Sequence, residues 1–553
     1  MISKNVSRRD FVRFSAAGTA VAALGMYGCA PATSSLADSG NELAAMRNSA
    51  DVEWTEEADV VVVGSGCALF GAMLASKAGK KAIVLEKGSK IGGTLFYSMF
   101  GMWVPNNHLM GTVDWATKDS EEAAVAYMKA CDANLTAIEG QVEEWVKRVP
   151  EVFRYLNEDM GFPIAVAQQN DYYAYEGHAI GRSLHPDYGD SEDAYSYEGN
   201  LRIVEPMVEE YGLDIRLETP ASHLVQDESG AVVGVIAVDD KGNEIAIKAN
   251  AGVLLGAGSF DHNEALRRAF LTTPMAGSWM VEENTGDGIV MGLEVGADLN
   301  HMYSVFGDLA YITGGDGLTY GGQASWDLAS PNTMAVNRAG RRFFSESYDY
   351  CQLMTNQRAL DFSTVPPTPN SEVFVIADSR FVQDFGYPGT GGDAENLPSF
   401  IHRYDTLEAL AEGEGIDKEG FLAQVERFNG FCETGVDEEF HRGESPYEDP
   451  EFGGGSFGLT DRDDLANPYL GPISTPPFFV GKVGPGSYGT SGGLLTDMEY
   501  RVIKNGEPIP GLYACGCNAG SIIDSHPGYG GSISVAMAGG MFAVNHMFDL
   551  GLF

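Results

Sequence analysis

Positive charge is what this sequence has least of. Its 35 Lys and Arg residues face 78 Asp and Glu, and the formal net charge is −43. A surface of that sign repels nucleic acid and anionic lipid headgroups, so no nucleic-acid partner is expected. The charge serves solubility, with docking of a basic redox partner as the alternative. Metal chemistry is equally thin. The 7 cysteines (Cys29, Cys67, Cys131, Cys351, Cys432, Cys515 and Cys517) form no CxxC pair, no CxxCH haem-attachment site and no ferredoxin-like run. The 10 histidines show no metal-ligand spacing, so no metal is expected. A disulfide framework does not suit a chain of this length. Long apolar runs are missing too. The stretch from Phe14 to Gly28 is short and is broken by Ser15, Gly18 and Thr19, which excludes a stable transmembrane helix there. There is no internal repeat.

What is plentiful is glycine. The 69 glycines gather in short motifs, as suits backbone that must approach a large cofactor. At 553 residues and 44% hydrophobic content the chain is globular and can hold two or three domains. Ser7-Arg8-Arg9-Asp10-Phe11-Val12, with the weakly apolar run behind it, reads as a twin-arginine export signal over residues 1–32. That route carries folded proteins, which fits an enzyme loaded before export. Met26-Tyr27-Gly28-Cys29 is an imperfect lipobox, so lipidation at Cys29 and cleavage near Ala30-Pro31-Ala32 both stand open. Residues 33–55 read as a polar tether.

The chemistry starts at Asp59. Val60 to Val63 form a β-branched run, read as a strand buried on both faces. It leads into Gly64-Ser65-Gly66, an Ala/Leu/Met-rich helix ending near Gly79, and a second strand, Ala82 to Leu85, that ends at Glu86. This is a βαβ dinucleotide site. Gly64 permits the tight turn, Gly66 admits a pyrophosphate onto the helix N-terminus, and Glu86 accepts the ribose hydroxyls. Leu69 stands where the pattern has its third glycine, with Gly71 two residues on. Gly92-Gly93-Thr94 resembles the segment that carries FAD-binding chains from adenosine to flavin, which favours FAD over NAD.

Farther on, helical periodicity is expected over roughly 120–160 and from Ile203 to Gly212. Strands are expected from Asp214 to Ala221, Val232 to Asp239, Glu244 to Lys248 and Ala251 to Gly258. Asp287 opens a helix and is read either as a ligand of the ribityl hydroxyls or as an N-cap. Turn signals multiply after residue 295. The expected division is a first FAD-binding part at 56–294, a capping or substrate domain at 295–470 and a second FAD-binding part at 471–553. In the second part the helix opening at Gly530-Gly531-Ser532 faces the flavin N1–C2=O edge.

Together these segments resemble the superfamily of fumarate reductase flavoproteins and 3-ketosteroid dehydrogenases, over nearly the whole mature chain. The resemblance implies an α/β fold, with a Rossmann-like FAD-binding domain of the glutathione-reductase type and an inserted α+β cap. It implies non-covalent FAD held by Gly64, Ser65, Gly66, Ala68, Glu86, Lys87, Gly93, Thr94, Val225, Asp287, Cys517, Gly531, Ser532 and Ile533. The dicarboxylate grips of soluble fumarate reductases are missing. Gly489-Thr490-Ser491-Gly492-Gly493 has glycine in the histidine slot, and Pro527-Gly528-Tyr529-Gly530-Gly531-Ser532 has no arginine. The ketosteroid branch matches better. Trp103-Val104-Pro105-Asn106-Asn107, Asp171-Tyr172-Tyr173, Gly181-Arg182-Ser183-Leu184, Val336 to Phe343 with Glu346 and Tyr350, and Asp378-Ser379-Arg380-Phe381 are similar to its motifs. Carried over, Tyr350 is the proton-transfer phenol and Tyr172 its hydrogen-bonded assistant. Phe478-Phe479 stands where that branch is expected to place a carbonyl-polarising tyrosine, which puts a 3-keto substrate in doubt.

The expected activity is that of an FAD-dependent oxidoreductase on a C–C bond beside a carbonyl, with a bulky apolar enone or steroid-like substrate. The alternative is a reductase of small unsaturated acids with Arg380 or Arg342 as the acid or grip. A third reading, a binding protein that kept the fold and lost the cofactor, is hinted at by Leu69. A phenol with a pKa of about 10 is a ready acid and a poor base at neutral pH. Desaturation would need that pKa lowered by Tyr172, Arg341 or Arg342; reduction would not. Glu346 is read as a proton relay or a turn cap, and the tyrosine-rich region from Tyr172 to Tyr197 otherwise as packing. The electron partner is expected to be separate, either a membrane-bound cytochrome or a quinone-linked donor or acceptor.

Overall fold

The computed structural model describes residues 47–553 apart from 133–137, 315–317, 319, 393–394, 450, 454–461, 463 and 524. The export signal, Cys29 and most of the tether lie outside these residues. Among the described residues no helix is long and apolar enough to cross a membrane.

Two sheets organise the chain. The first is built on β1 (Glu56–Val63), which runs through the dinucleotide turn into α1 (Leu69–Lys77) and back into β2 (Ala82–Leu85). β1 and β2 pair in parallel, as a right-handed βαβ crossover requires. β3 (Asp214–Arg216) extends the sheet beyond β2. β4 (Ala221–Gln226) and β5 (Val232–Val238) are an antiparallel hairpin that leads into β6 (Glu244–Leu255). The two strands expected at Glu244 to Lys248 and Ala251 to Gly258 are thus one. β6 pairs with β5 over Glu244 to Lys248 and with β1 from Ile247 to Leu255, across a register shift between Ala249 and Gly252. Gly252 is required at that bend, because a Cβ there would lie 2.8 Å from the Gly511 carbonyl oxygen.

The second sheet is the cap. Its members include β7 (Val305–Ile312) and β8 (Thr333–Asn337), then α2 (Tyr350–Arg358), β9 (Val373–Ala377) and β10 (Phe478–Thr490). β10 is the axis of this sheet, pairing antiparallel with both β7 and β9. The cap sheet therefore runs to Thr490, past the boundary expected at 470, because β10 crosses the whole cap before the chain returns. It returns through β11 (Glu507–Ala514), parallel to β6, and ends in α3 (Gly531–Met547).

The contact between α1 and α3 explains Leu69. Leu69 is fully buried in the main core, whereas Gly71 faces α3, where a Cβ would stand 2.7 Å from the Gly540 carbonyl oxygen. The close approach assigned to the third glycine is made two residues later, helix against helix. Gly71→Val should cost roughly 1–3 kcal/mol through overpacking. A thermal melt of the flavin-loaded protein should show a clearly lowered midpoint, while Gly79→Ala, with open space at its Cβ, serves as the strain-only control.

Candidate active site

The dinucleotide turn is pre-set by Glu86. One carboxylate oxygen accepts from the Ser65 N–H at 3.0 Å and from its hydroxyl at 2.5 Å; the other accepts from the Gly88 N–H at 2.7 Å. Ser65 Oγ in turn accepts from the Gly92 N–H, joining the two glycine segments. Among the described residues the N–H groups of Gly66 and Ala68 have no acceptor, and Ala68 is fully buried. In front of Gly66 a Cβ would meet only the Gly92 oxygen, at 3.6 Å. Orphan donors facing open space at a helix start fit a pyrophosphate.

The other expected FAD residues fall in several places. Lys87 Nζ is 2.9 Å from Asp287, which stands in the first turn of helix Asp287–Glu294; the N-cap is Gly286, so the capping reading of Asp287 is corrected. Thr94 Oγ accepts from the Val281 N–H and the Asn284 amide, and Gly93 just before it has a left-handed φ of 48°. Val225 is buried in β4 in a satellite cluster with Ile236 and Ala246. Burial pushes the Cys517 thiol up to about 12, so it is neutral. Gly531, Ser532 and Ile533 form the first turn of α3 behind the left-handed Gly530.

The chemistry-bearing side chains come from both sheets. Tyr350 opens α2, where Asp349 caps the helix by accepting from the Cys351 and Gln352 N–H groups. Its hydroxyl lies 3.3 Å from that of Tyr172 and 3.2 Å from Nδ1 of His526. Tyr172 is held from behind, its N–H donating to the Pro527 carbonyl at 3.1 Å. The Tyr127 hydroxyl donates to the same oxygen at 2.6 Å and also accepts from the Tyr173 N–H. Asp171, beside Tyr172, accepts from Trp103 Nε1 and Arg182, which ties the tryptophan and arginine motifs into the same wall. Rings of Tyr447, Tyr488 and Phe306 pack on Tyr172, Tyr350 and His526 respectively.

Burial sets the protonation states. It holds the Tyr172 and Tyr350 phenols above their ordinary range, and the neighbouring Tyr172 raises Tyr350 further. The same burial takes the His526 imidazole down to about 4, so it is neutral at physiological pH. The expected lowering of Tyr350 by Arg341 or Arg342 is not met. Arg341 is exposed, and Arg342 is fully buried between Glu346 at 2.6 Å and Asp437 at 2.7 Å, its charge spent inside the cap. Glu346 is committed to Arg342 and Arg442, so it is neither relay nor turn cap.

Two further expectations change. Arg380 pairs with Asp464 at 3.0 Å on a partly exposed helix, and among the described residues no contact joins it to the tyrosine pair. Phe478 and Phe479 lie on β10 with their side chains buried in two separate cap clusters, one on each face of the strand. No hydroxyl is therefore missing from the site at those positions. The residue that was overlooked is His526. Its only signal in the sequence was its place immediately before Pro527 and the glycines that open α3.

With this geometry in view, the chain matches the family model described as an FAD binding domain over residues 59–533, and it belongs to that family. The twin-arginine translocation signal is matched at residues 5–25, which supports export across the cytoplasmic membrane. The chain is 30% identical to the 3-oxosteroid 1-dehydrogenase of Mycolicibacterium smegmatis, across 88% of this chain and 96% of that protein. It is 26% identical to the digoxin reductase of Eggerthella lenta, across 94% and 92% respectively. Among solved structures it resembles the 3-ketosteroid Δ1-dehydrogenase of Sterolibacterium denitrificans in complex with 1,4-androstadiene-3,17-dione. The TM-score is 0.79 at 26% identity, over 89% of this chain and 99% of that one. The protein is thus an exported FAD-dependent oxidoreductase acting on CH–CH bonds, and the cofactor-free binding protein is set aside.

A pH profile tests the protonation states. Proton donation requires protonated Tyr350 and is lost only as pH rises through a pKa raised above 10; His526 gains charge only as pH falls through about 4. Burial pushes the neighbouring Asp349 and Asp308 carboxyls up to about 7, so the window free of titration lies above them. The rate of substrate reduction by the reduced enzyme should therefore stay flat from about pH 8 to 9.5, as followed by stopped-flow absorbance. A fall in rate across that window would contradict it.

Proposed function

We propose that this protein reduces the C=C bond of a neutral, bulky apolar enone or steroid-like ketone, with Tyr350 as proton donor and Tyr172 as its support. The observation that carries this reading is the row Tyr172–Tyr350–His526, three hydrogen-bonded groups kept uncharged by burial. FAD, when bound, supplies hydride transfer. The residues of the chain do the rest. Gly66, Ala68 and Glu86 hold the dinucleotide. The Tyr172 hydroxyl, 3.3 Å from that of Tyr350, orients it. The Tyr350 hydroxyl gives its proton to the α-carbon, next to the carbonyl.

The raised Tyr350 pKa supports reduction over desaturation, since a phenol that resists ionisation is an acid and not a base. Similarity to a digoxin reductase supports the same direction. Small unsaturated acids fit poorly, because Arg342 and Arg380 already hold carboxylates. Export supports a separate electron donor at the membrane, cytochrome or quinone-linked. The FAD-binding residues named from the sequence remain part of this proposal.

The test is anaerobic stopped-flow spectroscopy of the dithionite-reduced enzyme. Mixing with 1,4-androstadiene-3,17-dione or a cyclic aromatic enone should reoxidise the flavin, and mixing with fumarate should not. Reoxidation by fumarate alone would refute the reading. In the same assay Tyr350→Phe should lose at least about 10²-fold in rate, the usual contribution of a positioned acid. Its flavin content should be unchanged.

A further inference from the structure

Asp349 uses only one of its two oxygens. Oδ1 caps α2 by accepting from the Cys351 and Gln352 N–H groups at 3.1 and 3.2 Å. Oδ2 is buried with no hydrogen-bond partner among the described residues, and the hydroxyl of Tyr173 is in the same condition. Tyr173 is 2% exposed and Asp349 not at all. The two are neighbours. The Tyr173 ring stacks on that of Tyr348, the residue before Asp349, with centroids 6.5 Å apart. Burial pushes the Asp349 carboxyl up to about 7, against the Gln352 N–H and the Tyr173 hydroxyl, which favour its charged form. Burial first, and Asp349 second, raise the Tyr173 phenol. Each group thus shifts the other's proton while the pair stands just outside hydrogen-bond geometry. Two buried polar groups left unpaired side by side cost free energy, and a short approach satisfies both. The direction of the bond is set by chemistry, since a carboxylate only accepts.

We propose that Tyr173 is a positioning residue for the proton transfer: in the substrate-loaded enzyme its hydroxyl donates to Asp349 Oδ2 and fixes the helix start that carries Tyr350. This rests on the reading of Tyr350 as the proton donor. Asp349 belongs to the cap and directly precedes Tyr350, so it sets where that phenol leaves α2. Tyr173 belongs to the cofactor side. Its N–H donates to the Tyr127 hydroxyl at 3.1 Å, and Tyr127 donates to the Pro527 carbonyl at 2.6 Å. One carboxylate then joins the two bodies a single residue away from the acid. Oδ1 holds the helix turn and Oδ2 receives the opposite wall. A bond to a charged acceptor is among the stronger ones, and negative charge suits a helix N-terminus. No bond is made or broken at this pair. Its part is placement, which a proton transfer between closely set atoms demands.

Tyr173→Phe keeps the ring and removes the donor, so a role in packing alone predicts no loss from it. Infrared difference spectroscopy of the oxidised, FAD-loaded enzyme, saturated with 1,4-androstadiene-3,17-dione, reads the contact. The protonated-carboxyl stretch of Asp349, identified by its absence from Asp349→Asn, is followed as pH is lowered. A donor to the carboxylate holds its pKa down, so the midpoint should lie at higher pH in Tyr173→Phe than in wild type. The other titratable side chains around Asp349 are Cys351 on its own helix, Cys131, and the phenols of Tyr172, Tyr173, Tyr175, Tyr348 and Tyr447. Burial raises Cys131 and each of these phenols, which keeps them protonated through the titration. Flavin reoxidation by the dienone is then followed by stopped flow at about pH 9, where Asp349 is charged. Its limiting rate should fall about 10- to 10²-fold in Tyr173→Phe, the scale of a misplaced acid. The dienone concentration giving half that rate should be unchanged. Asp349→Asn keeps a capping oxygen but turns an N–H toward Tyr173; it should slow the same step and serves where the phenylalanine variant folds poorly. Equal midpoints, or a Tyr173→Phe enzyme as fast as wild type, overturn the proposal and leave the enone reading intact. Full activity in Tyr350→Phe overturns the reading of the donor, and the proposal with it.

Discussion

One carbonyl oxygen, that of Pro527, holds the site together. It accepts from the Tyr172 N–H and from the Tyr127 hydroxyl, and it belongs to the residue after His526. A carbonyl has two lone pairs, and here both are used to fasten a tyrosine-bearing loop to the turn before α3. Without that clamp Tyr172 and His526 would sit on independent loops, and no fixed position would exist between them for the Tyr350 hydroxyl. The backbone contacts position, and the side chains then need only short reach. Gly528 adds to the clamp, since a Cβ there would strike the Trp103 ring at 2.6 Å.

Around this clamp the protein buries charge in pairs and leaves the site itself neutral. Arg182 is matched by Asp119 and Asp171, and Arg342 by Glu346 and Asp437, all with fully or almost fully buried side chains. Removing one partner of such a set leaves an uncompensated charge in low dielectric, so each set constrains its neighbours tightly. The phenols and the imidazole between these networks feel burial first and charge second. That ordering is what raises the tyrosines and lowers the histidine, and it decides the direction of proton transfer.

Much of the fold was legible because local rules and tertiary need agree there. The run Val60 to Val63, the glycines after it and the acid at Glu86 each carry a local signature, and the structure joins them as expected. The Tyr172–Tyr350 pair followed from motif resemblance, and the two hydroxyls do meet. What could not be read was anything set by distant packing. A two-residue shift of the helix contact from Leu69 to Gly71 depends on α3, more than 450 positions later. The extent of the cap depended on a strand, β10, whose glycines and proline weaken any strand signal. Arginine motifs gave residue type but not partner, so Arg342 looked available when it was already spent. His526 carried no periodicity and no spacing; only the fold brings it to Tyr350.

The origin of the three groups has a further consequence. Tyr350 rides on the cap, whereas Tyr172 and His526 are fastened to each other's loops on the cofactor side. The acid is thus divided between two bodies, like a key and its lock. Any excursion of the cap wide enough to admit a bulky ligand parts the phenol from both of its partners at once. The proton donor is complete only when cap and cofactor side are together.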